Sequence, residues 1–297
     1  MNGSSTQAAT AMAPKPWRDY LALMKPGIVR MCLITTLGGL WLAPAQFELA
    51  TWLAALIGSA LAVGSANAFN MVWERNSDTK MQRTKLRPVA SGRMPAARAT
   101  AFAAAVGVLG LVILALGTNW LTMGLAAFAL ASYVLVYTPL KFQTPLALVI
   151  GAVPGAVPPL LGWTAVTGQL DMPGLVLFGI LLAWQMPHFL AIAIFQQDDY
   201  ARAGIRVVPL VRGDRVAKIQ AIAWTVALLA VSVALTPLGV TGPVYLAIAS
   251  VLGVGFLVWS LTGLRAEADR RWARGFFFAS LVYLPALTLA LVVDVIL

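Results

Sequence analysis

Residues 51–72 read TWLAALIGSALAVGSANAFNMV, a run of apolar and small side chains that contains no charged residue. A helix needs about 20 such residues to cross the roughly 30 Å hydrocarbon core of a bilayer. The run therefore predicts a membrane-spanning helix. It leads directly into polar chain, because Asn70 lies at its end and a charged stretch begins at Glu74.

Eight further runs of similar character are separated by polar breaks or by breaks that contain Pro or Gly. The chain is 60% hydrophobic and only 11% charged, whereas soluble domains carry roughly 25% charged residues. These values exclude a water-soluble core and predict an all-α integral membrane protein, with one nine-helix domain over 15–297. The predicted spans are 27–44, 51–72, 99–117, 120–138, 144–166, 173–195, 219–236, 241–263 and 273–294.

The basic residues are distributed very unevenly between the two sides of this arrangement. If the N-terminus is cytoplasmic, all 21 Lys and Arg residues lie on the inner side, and the outer side carries only Glu48, Asp171 and Asp294. Basic residues resist translocation, so this asymmetry predicts the orientation. The net charge of +10 is then a topology signal in short loops and gives no reason to expect nucleic-acid binding.

The chain carries few signals of processing or cross-linking. Residues 1–14 are small and polar, without the basic start of a signal peptide or the arginines of a mitochondrial presequence. They predict a disordered tail on a protein of the bacterial cytoplasmic (inner) membrane. The single cysteine, Cys32, excludes an internal disulfide and a multi-cysteine metal site.

Two inward loops, 71–98 and 196–218, are longer than the topology requires. They mix acids, bases, Gly and Pro and repeat no single polar residue type. Long polar loops on a compact bundle are usually functional or disordered. We interpret both loops as functional.

The first loop contains NMVWERNSD at 70–78, which places Asn70, Glu74 and Asp78 at intervals of four residues. If the second helix continues past the membrane surface, the three side chains share one face. Such oxygen ligands suit Mg²⁺, and neighbouring Arg and Lys suit phosphate oxygens. The alternative is that both carboxylates only pair with Arg75 and Lys80. The candidate diphosphate-binding residues here are Arg83, Lys85 and Arg87.

The second loop places Asp198 and Asp199 side by side and Arg202 shortly after them. A vicinal carboxylate pair at a helix end is costly unless a cation offsets the repulsion. We therefore expect both aspartates to be metal ligands and Arg202 to bind diphosphate. Together the two clusters would stabilise a leaving diphosphate by Lewis-acid action.

The only histidine, His188, lies inside the sixth predicted span, in WQMPHF at 184–189. A polar stretch interrupted by proline in a membrane helix usually faces a cavity or the bundle interior. His188 would orient a substrate, move a proton or contact a metal; the alternative is a structural hydrogen bond. Candidate cavity residues are Trp184, Gln185, His188, Tyr133 and Tyr137, although each aromatic residue alone also fits an interfacial belt.

These motifs resemble those of the UbiA-type intramembrane prenyltransferases, in particular the branch that farnesylates haem. The resemblance covers about residues 20 to 290. It is carried by 70–88, by WQMPHF at 184–189 and by DDYARAGIRVVPLVRG at 198–213. In the general family pattern an Asp stands where this chain has Glu74, and a further Asp precedes the acidic pair where this chain has His188 and Phe189. The second departure favours the haem branch over the quinone and chlorophyll branches.

The resemblance implies nine helices around a central cavity that both acidic loops cap on the cytoplasmic side. It also implies transfer of farnesyl from farnesyl diphosphate to the 2-vinyl group of haem b, with hydration, to give haem O and diphosphate. Mg²⁺ would be the cofactor and haem b a substrate. The implied catalytic residues are Asp78, Asp198 and His188, and the implied metal ligands are Asn70, Glu74, Asp78, Asp198 and Asp199.

Membrane lipid surrounds such an enzyme, and a haem A synthase or terminal oxidase assembly proteins are candidate partners. Two other functions remain open from the residues. One is a prenyltransferase of the same type that acts on an aromatic quinone precursor, which would use the same diphosphate residues. The other is a secondary transporter, although transporters place ionisable ligands near the membrane midplane and the acids here lie at span ends or in loops.

Overall fold

The computed structural model describes residues 16–44, 46–265 and 269–296, and the predicted tail 1–14 lies outside these described residues. Within them every regular element of secondary structure is a helix, and there is no strand. Eight helical segments of this described part are long and apolar enough to cross a membrane, and the bent pair Pro16–Met24 and Pro26–Leu42 raises the number to nine if it is counted as one span. The predicted all-α membrane fold is confirmed.

The N-terminal half contains the first nine α-helices and one segment of π-helix. Its long spanning helices begin and end within a few residues of the predicted positions. The elements are α1 (Pro16–Met24), α2 (Pro26–Leu42), α3 (Leu49–Trp73), α4 (Arg75–Asp78), α5 (Ala96–Gly117), α6 (Trp120–Ala131), the π segment (Ser132–Tyr137), α7 (Thr138–Leu140), α8 (Ala147–Gly155) and α9 (Val157–Thr167).

The C-terminal half contains four long helices and two short ones. The long helix Met172–Phe195 packs against Asp214–Val233 and Arg270–Ile296. Arg270–Ile296 also contacts α2, which brings the last and first spans together. Most of the large hydrophobic core lies among these helices. The elements are α10 (Met172–Phe195), α11 (Gln197–Ala203), α12 (Val208–Arg212), α13 (Asp214–Val233), α14 (Pro243–Thr262) and α15 (Arg270–Ile296).

Two predicted boundaries differ from the structure. The second predicted helix does not continue unbroken to Asp78, because α3 ends at Trp73 and α4 begins at Arg75. The second long loop ends at Gly213, five residues earlier than predicted, because α13 begins at Asp214. The first turn of α13 is charged and precedes the apolar stretch from which the span was predicted. Its acidic residue, Asp214, is favourable at a helix N-terminus.

One predicted span is broken, and the first predicted span is preceded by a bend. Lys25 separates α1 from α2, whose axes differ by 47°. The fifth span is interrupted at Ala156 between α8 and α9, where Pro154 and Pro158 interfere with regular helical hydrogen bonding. The break lies beside an apolar cavity in the middle of the N-terminal half.

Candidate active site

Lys25 joins the first helices to the end of α3. Its φ of 52° places it in the left-handed region, which costs a residue other than glycine on the order of 1–3 kcal/mol. In this conformation its Nζ donates a hydrogen bond to Asn70 Oδ1 at 2.8 Å. Asn67, one turn earlier on α3, donates to the Met24 carbonyl at 3.1 Å and fixes the same junction.

The predicted triad of Asn70, Glu74 and Asp78 forms one buried group. The break in α3 does not separate the three residues, because backbone hydrogen bonds run from Glu74 to Asn70 and from Asp78 to Glu74. Asn70 contacts the Glu74 carboxylate. Arg87 donates to both Asp78 oxygens at 2.9 Å and lies 3.5 Å from Glu74 Oε2. The side chains thus converge on one point at the end of α3.

Lys141 is a further basic residue of this group. The sequence analysis counted it with the basic residues of the inner side and did not predict it as a site residue. It pairs with Glu74 and is buried. Burial, with a smaller effect of the Lys25 charge, lowers the pKa of Lys141 to about 7. Its ammonium therefore depends on neighbouring carboxylates, or on an anionic ligand, to remain charged. The feature of the sequence that could have identified Lys141 as a site residue is that it is the single basic residue of a short inward loop.

The donor set of this group fits Mg²⁺. Across the described ranges, no three His, Cys, Asp or Glu side chains lie close enough together to hold a metal ion. Mg²⁺ does not require such a cage, because it is commonly held by one or two carboxylates together with phosphate oxygens and water. Glu74 and Asp78 with the Asn70 amide supply those donors beside the basic residues that a diphosphate needs.

The two predicted long loops and the short loop after α7 pack into one polar cap, comprising 74–95, 141–146 and 196–213. Met81 packs against Ala203 and Ile205 of the second long loop. The backbone N–H of Arg206 donates to the Lys141 carbonyl at 3.0 Å. The structure therefore brings both acidic loops together at one end of the bundle.

The vicinal aspartates do not act as one unit in the structure. Asp199 is buried and pairs with Arg202. Asp198 is exposed, and Arg270 at the start of α15 donates to its two oxygens at 2.6 and 2.9 Å. The hydrogen bond from Arg270 holds the pKa of Asp198 below its usual value. Of the two predicted ligands, only Asp199 is buried within the polar cap.

The other predicted diphosphate residues occupy different positions. Arg83 is exposed and hydrogen-bonds to Tyr200 of the second long loop. Burial raises the pKa of Tyr200, and Arg83 opposes this change. Lys85 and Arg202 are exposed on the polar cap. Arg87 is the predicted base that contacts both carboxylates of the triad.

An apolar cavity of about 100 Å³ begins one helical turn from the triad, at Asn67 of α3. Asn67 and Tyr133 line it near the polar cap, and Cys32 and Gly155 line it among the helices. Tyr133 was predicted to line a cavity. Tyr137 packs instead beside Gly151, and Gln185 donates to the Ala152 carbonyl at 3.2 Å, next to the cavity wall.

The predicted residues Trp184 and His188 face α15. Trp184 Nε1 donates to the Ser280 carbonyl at 2.8 Å, and His188 Nδ1 lies 2.7 Å from Ser280 Oγ. His188 is 8% exposed. The site therefore has two parts, the charged triad at the polar cap and an aromatic pair between α10 and α15.

The chain is similar to known proteins in both sequence and fold. The model of the UbiA prenyltransferase family matches residues 32–282. Curated relatives include a protoheme IX farnesyltransferase of Myxococcus xanthus, 46% identical over 93% of this chain and 94% of the relative. Another, from Anaeromyxobacter dehalogenans, is 44% identical over 98% and 99%.

Solved structures agree in fold at low sequence identity. A digeranylgeranylglyceryl phosphate synthase has a TM-score of 0.80 at 19% identity, over 94% of this chain and 98% of that one. A UbiA homolog from Archaeoglobus fulgidus bound to GPP and Mg²⁺ has a TM-score of 0.68 at 14% identity, over 92% and 99%. The length of the family match and the identity to full-length relatives show that the chain belongs to the UbiA prenyltransferase family.

Proposed function

We propose that the protein transfers the farnesyl group of farnesyl diphosphate to the 2-vinyl group of haem b, giving haem O and diphosphate. The observation that carries the proposal is the buried triad of Asn70, Glu74 and Asp78 beside basic residues and an apolar cavity. The shared name of the relatives, at 42–47% identity, supplies the acceptor. A secondary transporter is disfavoured by the family, whose members are prenyltransferases.

Mg²⁺ would be held by Asn70, Glu74 and Asp78, with Asp199 as a further candidate, and would supply Lewis-acid stabilisation of the diphosphate. Lys25, Arg87 and Lys141 surround the same point and would bind the diphosphate oxygens. Arg83, Lys85 and Arg202 remain predicted contacts at the rim of the polar cap. Positive groups fixed where negative charge develops lower the barrier to loss of diphosphate.

The reaction forms one carbon–carbon bond. The allylic C–O bond of farnesyl diphosphate breaks, and its electron pair leaves with the diphosphate. The vinyl π electrons then attack farnesyl C1, and the cation next to the porphyrin takes up water and releases a proton. The apolar lining protects the farnesyl cation from early capture by water, and the ring of Tyr133 offers a π face to it.

The cellular setting follows from the same proposal. The polar cap would face the cytoplasm of a bacterial cell, because the basic residues collect there. Farnesyl diphosphate would reach the triad from the water side. A haem A synthase or an oxidase assembly protein would receive the product, and this partnership stays a prediction.

The acceptor is tested with purified protein in lipid nanodiscs, supplied with Mg²⁺, farnesyl diphosphate and either haem b or 4-hydroxybenzoate. We expect haem O from haem b, detected by liquid chromatography and mass spectrometry, and no prenylated 4-hydroxybenzoate. Removal of divalent cations with EDTA should stop the reaction, and added Mg²⁺ should restore it. Prenylation of 4-hydroxybenzoate with no haem O would assign the quinone-precursor function instead.

The different burial of the vicinal aspartates gives a paired prediction. Asp199→Asn should lower haem O formation about 10–100-fold, the range for groups that hold or orient metal ligands, because Asp199 is buried in the polar cap. Asp198→Asn should cause a smaller loss, because Asp198 is exposed and bound to Arg270. Initial rates at saturating Mg²⁺ measure both. Equal losses, or a larger loss for Asp198→Asn, would contradict the assignment.

A further inference from the structure

His188 is held among aromatic rings inside the membrane-spanning part of α10. The ring of Trp184 stacks on it with centroids 4.8 Å apart, and the ring of Phe277 from α15 lies at the same distance. Phe189 approaches edge-on at 5.5 Å. An ionisable side chain at such a position is expensive and usually functional.

Ser280 determines which nitrogen of His188 carries the proton. The Ser280 hydroxyl donates its only hydrogen to the Phe277 carbonyl at 2.6 Å. Its oxygen can then only accept from His188 Nδ1, which lies 2.7 Å away. In the neutral imidazole the proton is therefore on Nδ1, and Nε2 keeps its lone pair.

The other ring nitrogen of His188, Nε2, takes no part in the contact with Ser280. Within the described residues it has no hydrogen-bond partner, although the side chain is more than nine-tenths buried. An imidazole whose Nδ1–H is fixed by a neighbouring acceptor while Nε2 is free is the usual arrangement of a histidine metal ligand. Trp184, whose ring stacks on His188, donates a hydrogen bond to the carbonyl of the same serine. Ser280 therefore fixes the positions of both rings.

Trp184 and Phe277 lie against the imidazole ring, so the edge that carries Nε2 is the part of His188 left for a ligand. Towards the polar cap, Phe195 packs edge-on against Phe277, and the exposed Arg274 guanidinium lies over Phe195. Gln185, one turn before His188, lies against Gly155 of the apolar cavity. Two aromatic rings, Phe277 and Phe195, thus connect His188 to a cation that suits carboxylates. Gln185 lies between His188 and the cavity proposed for the isoprenoid.

From this geometry we propose that His188 Nε2 binds the iron of the haem substrate and positions the porphyrin for transfer. The proposal rests on the proposed function, since it takes haem b as the acceptor. Ser280 is a positioning residue, because it acts on the haem only through His188. Arg274 would face the porphyrin carboxylates.

The chain contains one histidine, which makes the test specific. The full-length protein, purified with a tag that lacks histidine and labelled with ¹⁵N-histidine, is loaded with ferric haem b in the absence of farnesyl diphosphate. Pulsed electron paramagnetic resonance should detect ¹⁵N coupling to the iron in the wild type. His188→Ala should remove this coupling and weaken haem binding, and added imidazole should restore a nitrogen-ligated spectrum.

Ser280→Ala keeps the histidine but removes the acceptor for Nδ1, so haem affinity should fall about 10–100-fold while the ¹⁵N coupling persists. An absence of ¹⁵N coupling in wild type that binds haem and makes haem O overturns the ligand assignment alone. A wild type that neither binds haem nor makes haem O, yet prenylates another acceptor, overturns the proposed function. If His188→Ala does not fold, the wild-type spectrum still decides the ligand assignment.

Discussion

Asp78→Asn should lower the rate of haem O formation by about 100-fold or more, the loss that follows when one fixed electrostatic group of an active site is removed. Asp78 is fully buried and holds Arg87 through both oxygens. Asparagine keeps the volume but removes the charge that would bind Mg²⁺ and orient Arg87. The rate is measured with purified protein at saturating farnesyl diphosphate, haem b and Mg²⁺.

Glu48→Gln is the matched control, since it is a carboxylate-to-amide change at the opposite end of α3, where Glu48 is exposed and its carboxylate accepts a hydrogen bond from the Thr51 hydroxyl. It should leave the rate unchanged. Thermal unfolding of both variants separates a loss of chemistry from a loss of fold. Full activity of Asp78→Asn in a folded protein would remove Asp78 from the site.

Gly39→Ala should destabilise the bundle by about 3 kcal/mol or more, at the upper end of the range for overpacking. A methyl group on Gly39 would collide with the Pro159 carbonyl oxygen and approach Trp163 N to 2.9 Å. Gly162 on α9 approaches α2 equally closely, near the Leu40 backbone nitrogen. At both positions the atoms that a methyl group would meet belong to the backbone of the other helix, so neither helix can yield by a rotamer change. Close helix crossings in membranes depend on such small residues.

Gly38→Ala supplies the control for this prediction, because a methyl group there meets nothing within 4 Å and alanine is the better helix former. Detergent-solubilised protein should show a lower thermal midpoint and a smaller monodisperse fraction for Gly39→Ala only. Equal unfolding temperatures for the two variants would contradict the close packing of α2 against α9 at Gly39.

The sequence was sufficient for the spanning helices because hydrocarbon imposes a length and a composition on them. It predicted α5, α10 and α14 to within a few residues. It missed α1, which is short and charged and satisfies no span criterion alone. The break at Ala156 also escaped prediction, since proline in a membrane helix does not by itself fix where the chain bends.

For the site, the spacing of residues along one helix could be read from the sequence, whereas the pairing of residues between distant loops could not. The four-residue intervals correctly placed Asn70 and Glu74 in contact. The partners Lys25 and Lys141 come from distant segments, and only folding brings them to the triad. The adjacent Asp198 and Asp199 looked equivalent in the sequence, but the start of α15 supplies Arg270 to one of them.

The 47° bend at Lys25 bears on the depth at which chemistry occurs. It leaves Trp17 of α1 57% exposed, and tryptophan in such a helix prefers the level of the lipid headgroups. Since α1 ends at the residue before Lys25, the Lys25–Asn70 contact would lie close below that level. A trianionic leaving group would then be bound and released at the boundary of the hydrocarbon without having to cross it. The isoprenoid and the macrocycle, which are soluble in lipid, would reach the same boundary by moving within the plane of the membrane.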